Sequence, residues 1–340
     1  MTIAEIKSML KGSAYDFLRT DPHLGDKIIL LTLGGSHAYG LNTETSDVDI
    51  RGCALNSPAE LIGLSNFEQR ADTATDTTVY GFMRMVQLLL KCDSHAVEML
   101  GCRPEHYIWL TDAGRLLIEN RKMFLSQRVV RTFGGYASRQ LRRLENGLLG
   151  DQVEQGRMEE HIRNSMEGAA RGCENQFSEL ANGEIKLYTG ESKREGLDRE
   201  IFADISLKGF PARDFSSLLN TLGNVLESYK ARGHRNNKKD DAHLNKHAMH
   251  LVRIYLTGLD ILETGDIETY RERDHDLLIS IRRGDYMKPD GTYRSEFFDM
   301  VSDLEARLKY AEQNTCLPKQ PDVAKIEQLV MAVNKGVFDV

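Results

Sequence analysis

The sequence predicts a small α/β unit followed by a mostly helical domain, divided as residues 1–115 and 116–340. Three observations predict this. Lys27 to Leu33 is a continuous apolar, partly β-branched run that ends on glycine, which reads as a buried strand. Asp47 to Leu55 alternates acidic with apolar residues over its first four positions, which reads as a second strand with both aspartates on one face. Beyond about residue 110 the character changes: no proline stands between Pro104 and Pro211, and Leu141, Leu144, Leu148 and Leu149 repeat with helical spacing.

Taken in order, Ile3, Ile6, Met9, Leu10, Phe17 and Leu18 predict one amphipathic helix, stopped by Asp21-Pro22. The strand at Lys27 to Leu33 feeds a Gly34-Gly35-Ser36 turn, and a loop or short helix follows to Thr45. Pro58 to Gly63 reads as a short helix or turn, and Asn66 to Ala74 as an ambiguous polar stretch. Thr77 to Tyr80 is β-prone and leads into a helix over Gly81 to Lys91. Met83 and Met85 near Phe82, and Trp109 near Tyr107, read as core. Lys186 to Thr189 and Ile201 to Lys208 suit a small hairpin. Helices are expected over Asp214 to Ala231, Asp241 to Glu263, Asp274 to Arg283, Tyr293 to Gln313 and Asp322 to Val333.

Composition removes several classes. The chain has 340 residues, 41% of them apolar and 28% charged, and only seven prolines, which excludes a fibrous or mainly disordered protein. Apolar-rich stretches such as Ile28 to Leu33 fall far short of the roughly 20 residues a membrane helix needs. The first residues, MTIAEIKSMLKG, carry no apolar segment of a secretory signal. A net charge of −7 argues against broad non-specific nucleic-acid binding, though not against a local basic pocket. Cys53, Cys92, Cys102, Cys173 and Cys316 are odd in number, widely spaced and contain no CxxC pair. A disulfide framework and a zinc ribbon are therefore not expected, and a reducing, cytoplasmic compartment is.

The chemistry concentrates in GGSHAYGLNTETSDVDIRG, Gly34 to Gly52. Small residues at a strand end let the backbone approach a phosphate, and Ser36 adds an N–H and a hydroxyl. Two carboxylates at i and i+2 of one strand crowd each other without a counter-ion. Hard divalent ions such as Mg²⁺ favour such oxygen ligands and bind substrate phosphates as well. Alone, a DxD is commonly a surface feature and a GGS merely a turn; the order and spacing here are more specific.

These residues resemble the polymerase-beta-type nucleotidyltransferase superfamily. Leu33, Gly35-Ser36 and Asp47-Val48-Asp49-Ile50 match its fingerprint. The fuller Gly35-Ser36-His37-Ala38-Tyr39-Gly40 with Ser46 to Gly52 resembles the RNA-repair-associated, RlaP-type branch of bacteria and phages. Lys246 to Arg253 (KHAMHLVR) and Ile281 to Tyr286 (IRRGDY) match as well, so the resemblance runs sparsely from about residue 27 to about 290. It implies a palm-like core with a mixed sheet and a helical domain completing the nucleotide and acceptor cleft. It also implies an NTP such as ATP, Mg²⁺ or Mn²⁺, and Asp47 and Asp49 as metal ligands. A third carboxylate would stand on a later antiparallel strand; Asp76, just before Thr77, is chosen over Asp72.

In a helix over Asp241 to Glu263, Lys246, His250 and Arg253 share a face, with His243 one turn before. Such a row of donors suits a triphosphate, and the family match covers it. The plain alternative is a solvated helix face. His247 falls off the row and reads as structural. Arg282 and Arg283 either contact phosphate or cap a helix end. Arg51 is the cation nearest the motif. Arg128 to Arg143, with five arginines and no acid, and Tyr229 to His247, with six Lys/Arg against two Asp, suit a polyanionic acceptor or a solvated face.

The expected function is transfer of a nucleoside monophosphate to an RNA end, a nucleotide or a protein hydroxyl. The alternatives are an inactive nucleotide-sensing or nucleic-acid-binding partner, and a DxD-type glycosyltransferase. The latter would not need Gly35-Ser36.

Overall fold

A computed structural model describes residues 1–137, 140, 141, 144, 184–191, 199–209, six positions between 212 and 223, 241–289 and 291–338. The chain divides into two compact units, Met1–Leu144 with Asp241–Val340, and Glu145–Asp240. The helix expected over Asp214 to Ala231 falls mostly outside the described residues, as do Leu148, Leu149 and Cys173. So do Arg139, Arg142 and Arg143 of the first basic stretch and most of the second.

The first unit opens with α1 (Ile3–Met9), capped by Thr2 in a reciprocal box with Glu5. The single helix expected to Leu18 is broken. Gly12 adopts extended backbone, a 3₁₀ turn follows at Ser13–Tyr15, and α2 covers Phe17–Thr20. Then come β1 (Ile28–Leu33), α3 (Gly35–Tyr39), β2 (Ile50–Ala54), α4 (Pro58–Leu61), β3 (Gln69–Asp72) and β4 (Thr77–Gly81). Next are α5 (Phe82–Leu90), α6 (Ser94–Leu100), β5 (Tyr107–Leu110), α7 (Asp112–Glu119) and a π-helical turn at Val130–Gly134.

The sheet is mixed, with strand order β3-β4-β2-β1-β5. Strand β1 pairs antiparallel with β2 and β5, β2 pairs parallel with β4, and β3 pairs antiparallel with β4. Every residue of β1 is buried, as its largely apolar run, interrupted only by Thr32, requires of a strand covered on both faces. Helix α5 buries Phe82, Met85, Val86 and Leu89 and packs on β4 and β2. Strand β5 was not expected. It is a short edge strand, and Trp109 is 56% exposed on it rather than in the core, its Nε1 donating to the Ile28 carbonyl at 3.0 Å.

The same unit contains α8 (Asp241–Thr264), α9 (His275–Arg283), α10 (Ser295–Asn314) and α11 (Val323–Phe338). Helix α8 packs on α9 and α10 and buries most of its length. Gly258 lets Phe133 and Leu308 lie against the α8 backbone; a Cβ there would stand 3.2 Å from Phe133. In the second unit, β6 (Glu184–Glu191) and β7 (Arg199–Ser206) form the expected antiparallel hairpin. Cys53, Cys92, Cys102 and Cys316 are free thiols. No described helix is long and apolar enough to cross a membrane.

Candidate active site

Sheet topology determines which residues meet. Because β1 and β2 are antiparallel, the end of β1 lies beside the start of β2; because β2 and β4 are parallel, their starts are neighbours. Thus Gly34 to Ser36, Asp49 and Asp76 reach one end of the sheet. The Gly34 N–H donates to the Asp49 carbonyl at 2.8 Å, and the Ile50 N–H to the Asp76 carbonyl at 3.2 Å. Gly35 has φ +52, and a Cβ there would collide with the Asp49 carboxylate, so only glycine lets the turn close over that acid. The aspartates of the motif precede β2 rather than belonging to it, which begins at Ile50. The strand bearing the third carboxylate also differs from expectation: β4 runs parallel to β2, and Asp76 sits just before it with φ 44. That left-handed backbone is one aspartate tolerates better than most residues. Asp72, the competitor, caps a turn instead, its Oδ1 accepting from the Thr75 N–H and hydroxyl at 3.0 Å each.

Asp49 and Asp76 lie within a hydrogen bond of each other. Arg51 spans them, its Nη2 3.2 Å from Asp49 Oδ1 and 3.1 Å from Asp76 Oδ1. Burial, then the adjoining Asp76 carboxyl, raises the Asp49 carboxyl to about 7; the hydrogen bond from Asp49 lowers that of Asp76. Asp47 lines the same cleft but is exposed. Among the described residues no three His, Cys, Asp or Glu side chains stand close enough to share one ion, so the three aspartates are not gathered. The donor set nonetheless suits a hard divalent ion: two adjacent carboxylates, one destabilised by its neighbour, with a third two residues away.

Facing these acids across a cleft of about 680 Å³ is α8, whose His243, Lys246, His250 and Arg253 all line the cavity. The row is not uniformly cationic. Lys246 is exposed and acts electrostatically on both Asp49 and Asp76. Burial, reinforced by Arg253 and Lys246, pushes His250 well below the usual histidine range, so it is neutral. Arg253 is 3% exposed and already paired: its Nη1 donates to Glu98 Oε1 at 2.5 Å, and its guanidinium stacks 3.6 Å from the centre of the Tyr39 ring. The Tyr39 hydroxyl donates to the other Glu98 oxygen at 2.7 Å. This buried triad joins α3, α6 and α8 beneath the Ser36 turn. Arg282 donates to the Leu41 carbonyl and reaches Ser46 Oγ at 3.4 Å, tying down the loop between α3 and Asp47. Arg283 also lines the cleft and pairs with Asp285 at 3.4 Å. His247 contacts Gln140 Oε1 at 3.2 Å.

Glu98 was missed from sequence. Its signal was a lone acid in SHAVEML, an otherwise largely apolar helix, which demands a cationic partner when buried. His95 and Tyr136, whose rings lie 5.7 Å apart, add an aromatic margin to the cleft.

No curated protein and no solved structure matches the chain. One family model does match it. That model, RlaP, the RNA repair pathway DNA polymerase beta family, matches residues 12–332, and the chain belongs to this family.

Proposed function

We propose that the chain is a divalent-metal-dependent nucleotidyltransferase that moves a nucleoside monophosphate from an NTP to a hydroxyl acceptor and releases pyrophosphate. The observation that carries the reading is the convergence of Gly35-Ser36, Asp49 and Asp76 at one sheet end, opposite Lys246 in a single cleft. In this reading Gly35 and Ser36 cradle a phosphate through backbone N–H groups and the hydroxyl. Lys246, with Arg282, supplies positive charge to the triphosphate. Asp47, Asp49 and Asp76 would hold Mg²⁺ or Mn²⁺, which when bound neutralises phosphate charge and polarises the attacking oxygen. The acceptor hydroxyl attacks the α-phosphorus, the bond to the β-phosphate oxygen breaks, and pyrophosphate leaves. The acceptor proton passes by way of Asp76, whose side chain is 57% exposed against 19% for Asp49, on to bulk water. Positioning and charge stabilisation supply most of the rate in such chemistry. Neutral His250 donates a hydrogen bond without adding charge, and Arg253 holds the wall rather than the phosphates. The acceptor is an RNA end, a nucleotide or a protein hydroxyl, and the scattered cysteines suit a cytoplasmic setting.

The test is incubation with each labelled NTP or dNTP and Mg²⁺, without and with bulk RNA, followed by mass identification of the product. A nucleoside monophosphate adduct with stoichiometric pyrophosphate supports the reading. Nucleotide binding without pyrophosphate release under any condition overturns it. That result favours a second reading, a nucleotide sensor, for which the one supporting observation is that Asp47 stands outside the Asp49–Asp76 pair.

A further inference from the structure

Arg51 leaves β2 one residue after Ile50, and its stem lies against Gly34, where an added Cβ would stand 3.0 Å from Arg51 Cγ. Its guanidinium is held by four acceptors. Nη1 donates to the Ile50 carbonyl at 3.0 Å and to the Asp76 carbonyl at 2.6 Å. Nη2 donates to Asp49 Oδ1 at 3.2 Å and to Asp76 Oδ1 at 3.1 Å. Two adjoining carboxylates in a half-buried edge need a counter-ion, and here the chain supplies one from its own strand.

We infer that Arg51 is a built-in cation that competes with the divalent ion for Asp49 and Asp76. The inference rests on the reading of those carboxylates as metal ligands. Two cations drawn to the same two oxygens repel each other strongly at such separations, so an ion can use them fully only when the guanidinium withdraws. Arg51 also lines the cleft, so a triphosphate offers the displaced guanidinium new oxygen acceptors, in the bidentate geometry that arginine favours. The consequence is linkage: the ion binds weakly alone and well together with a polyphosphate, because the second ligand gives Arg51 somewhere to go. Arg51 is thereby a positioning residue whose charge couples metal loading to substrate loading.

The test is Mn²⁺ binding followed by the electron paramagnetic resonance of free Mn²⁺ at pH 8 without nucleotide. It compares the unaltered chain, Arg51→Gln and Arg51→Lys, with melting curves for all three. Arg51→Gln should bind Mn²⁺ at least tenfold more tightly than the unaltered chain. Its metal-free melting temperature should fall, and Mn²⁺ should restore it by more than it raises that of the unaltered chain. Arg51→Lys keeps the charge but loses the fork, so it should fold and show intermediate Mn²⁺ affinity; it serves if Arg51→Gln does not fold. Mn²⁺ affinity equal to or below that of the unaltered chain in a folded variant overturns the inference and leaves the metal reading intact. Absence of Mn²⁺ binding in all three overturns the metal reading and this inference together.

Discussion

Replacing Asp49 with asparagine should make the protein more stable and inactive at once. The Asp49 carboxyl is raised from an ordinary 3.8 to about 7, chiefly by burial and then by Asp76. About three units at about 1.4 kcal/mol each is roughly 4 kcal/mol between charged and neutral forms. Asp76 shifts the opposite way, and discounting the pair for coupling and partial exposure leaves on the order of 2 kcal/mol. The sign follows from proton binding. Between about pH 4 and pH 7 the folded chain holds a proton that the unfolded chain has released, so wild-type stability falls as pH rises through that window. Above about pH 8 the full cost is present. The asparagine side chain keeps the shape, never ionises, and leaves Arg51 its two contacts with Asp76. Thermal unfolding by circular dichroism with a chelator present should therefore show Asp49→Asn melting roughly 4–8 °C above wild type at pH 8. The gap should close near pH 4, where the carboxyl is protonated in the folded and the unfolded chain alike. Turnover should vanish at every pH, since the amide cannot anchor a cation. A gap that is the same at both pH values, or a variant less stable at pH 8, refutes the electrostatic account of the pair.

Other outcomes follow from the same geometry. Ser36→Ala should weaken NTP binding by about 1–2 kcal/mol, the worth of a hydrogen bond to a charged oxygen, and calorimetric titration at fixed Mg²⁺ measures it. Gly35→Ala forces a Cβ into the Asp49 carboxylate at positive φ, so NTP affinity should be lost together with a melting drop; an unchanged melting curve would show that the turn relaxes freely. Lys246→Ala should lower NTP affinity with little change in melting temperature, which paired titration and melting curves test. Arg253→Ala should instead cost about 3–5 kcal/mol of stability, because it strands the Glu98 charge in a buried site; denaturant unfolding would show it.

The elements legible in the sequence were those whose signal is local. Ile28–Leu33 is an apolar run, and the helices from Asp241 onward carry clear periodicity. The break at Gly12 was overlooked because the apolar spacing continues across it. Tyr107–Leu110 was invisible as a strand because an edge strand needs no distinctive pattern and takes its definition from β1. Ser36 and Asp49 were legible as a motif. Asp76 is set by a parallel pairing that no sequence spacing reports. The pairing of Arg253 was not legible for a similar reason. Helical spacing places it beside Lys246, but whether its charge is spent depends on Glu98, which reaches it only through tertiary packing. A charge on a predicted helix face reveals its phase and not its partner.

The order of residues around the cleft has a consequence for synthesis. The acids and the Gly-Ser turn are made early, whereas Lys246, Arg253 and Arg282 are made only after Glu145–Asp240 has been translated. Until then the nascent chain carries Glu98 without Arg253 in a helix that is otherwise ready to be buried. The first 144 residues therefore cannot settle into their final packing as they leave the ribosome. Their packing is completed by a helix encoded about a hundred codons later, and a message cut short in between yields a product that carries the aspartates without Lys246, Arg253 or Arg282 opposite them.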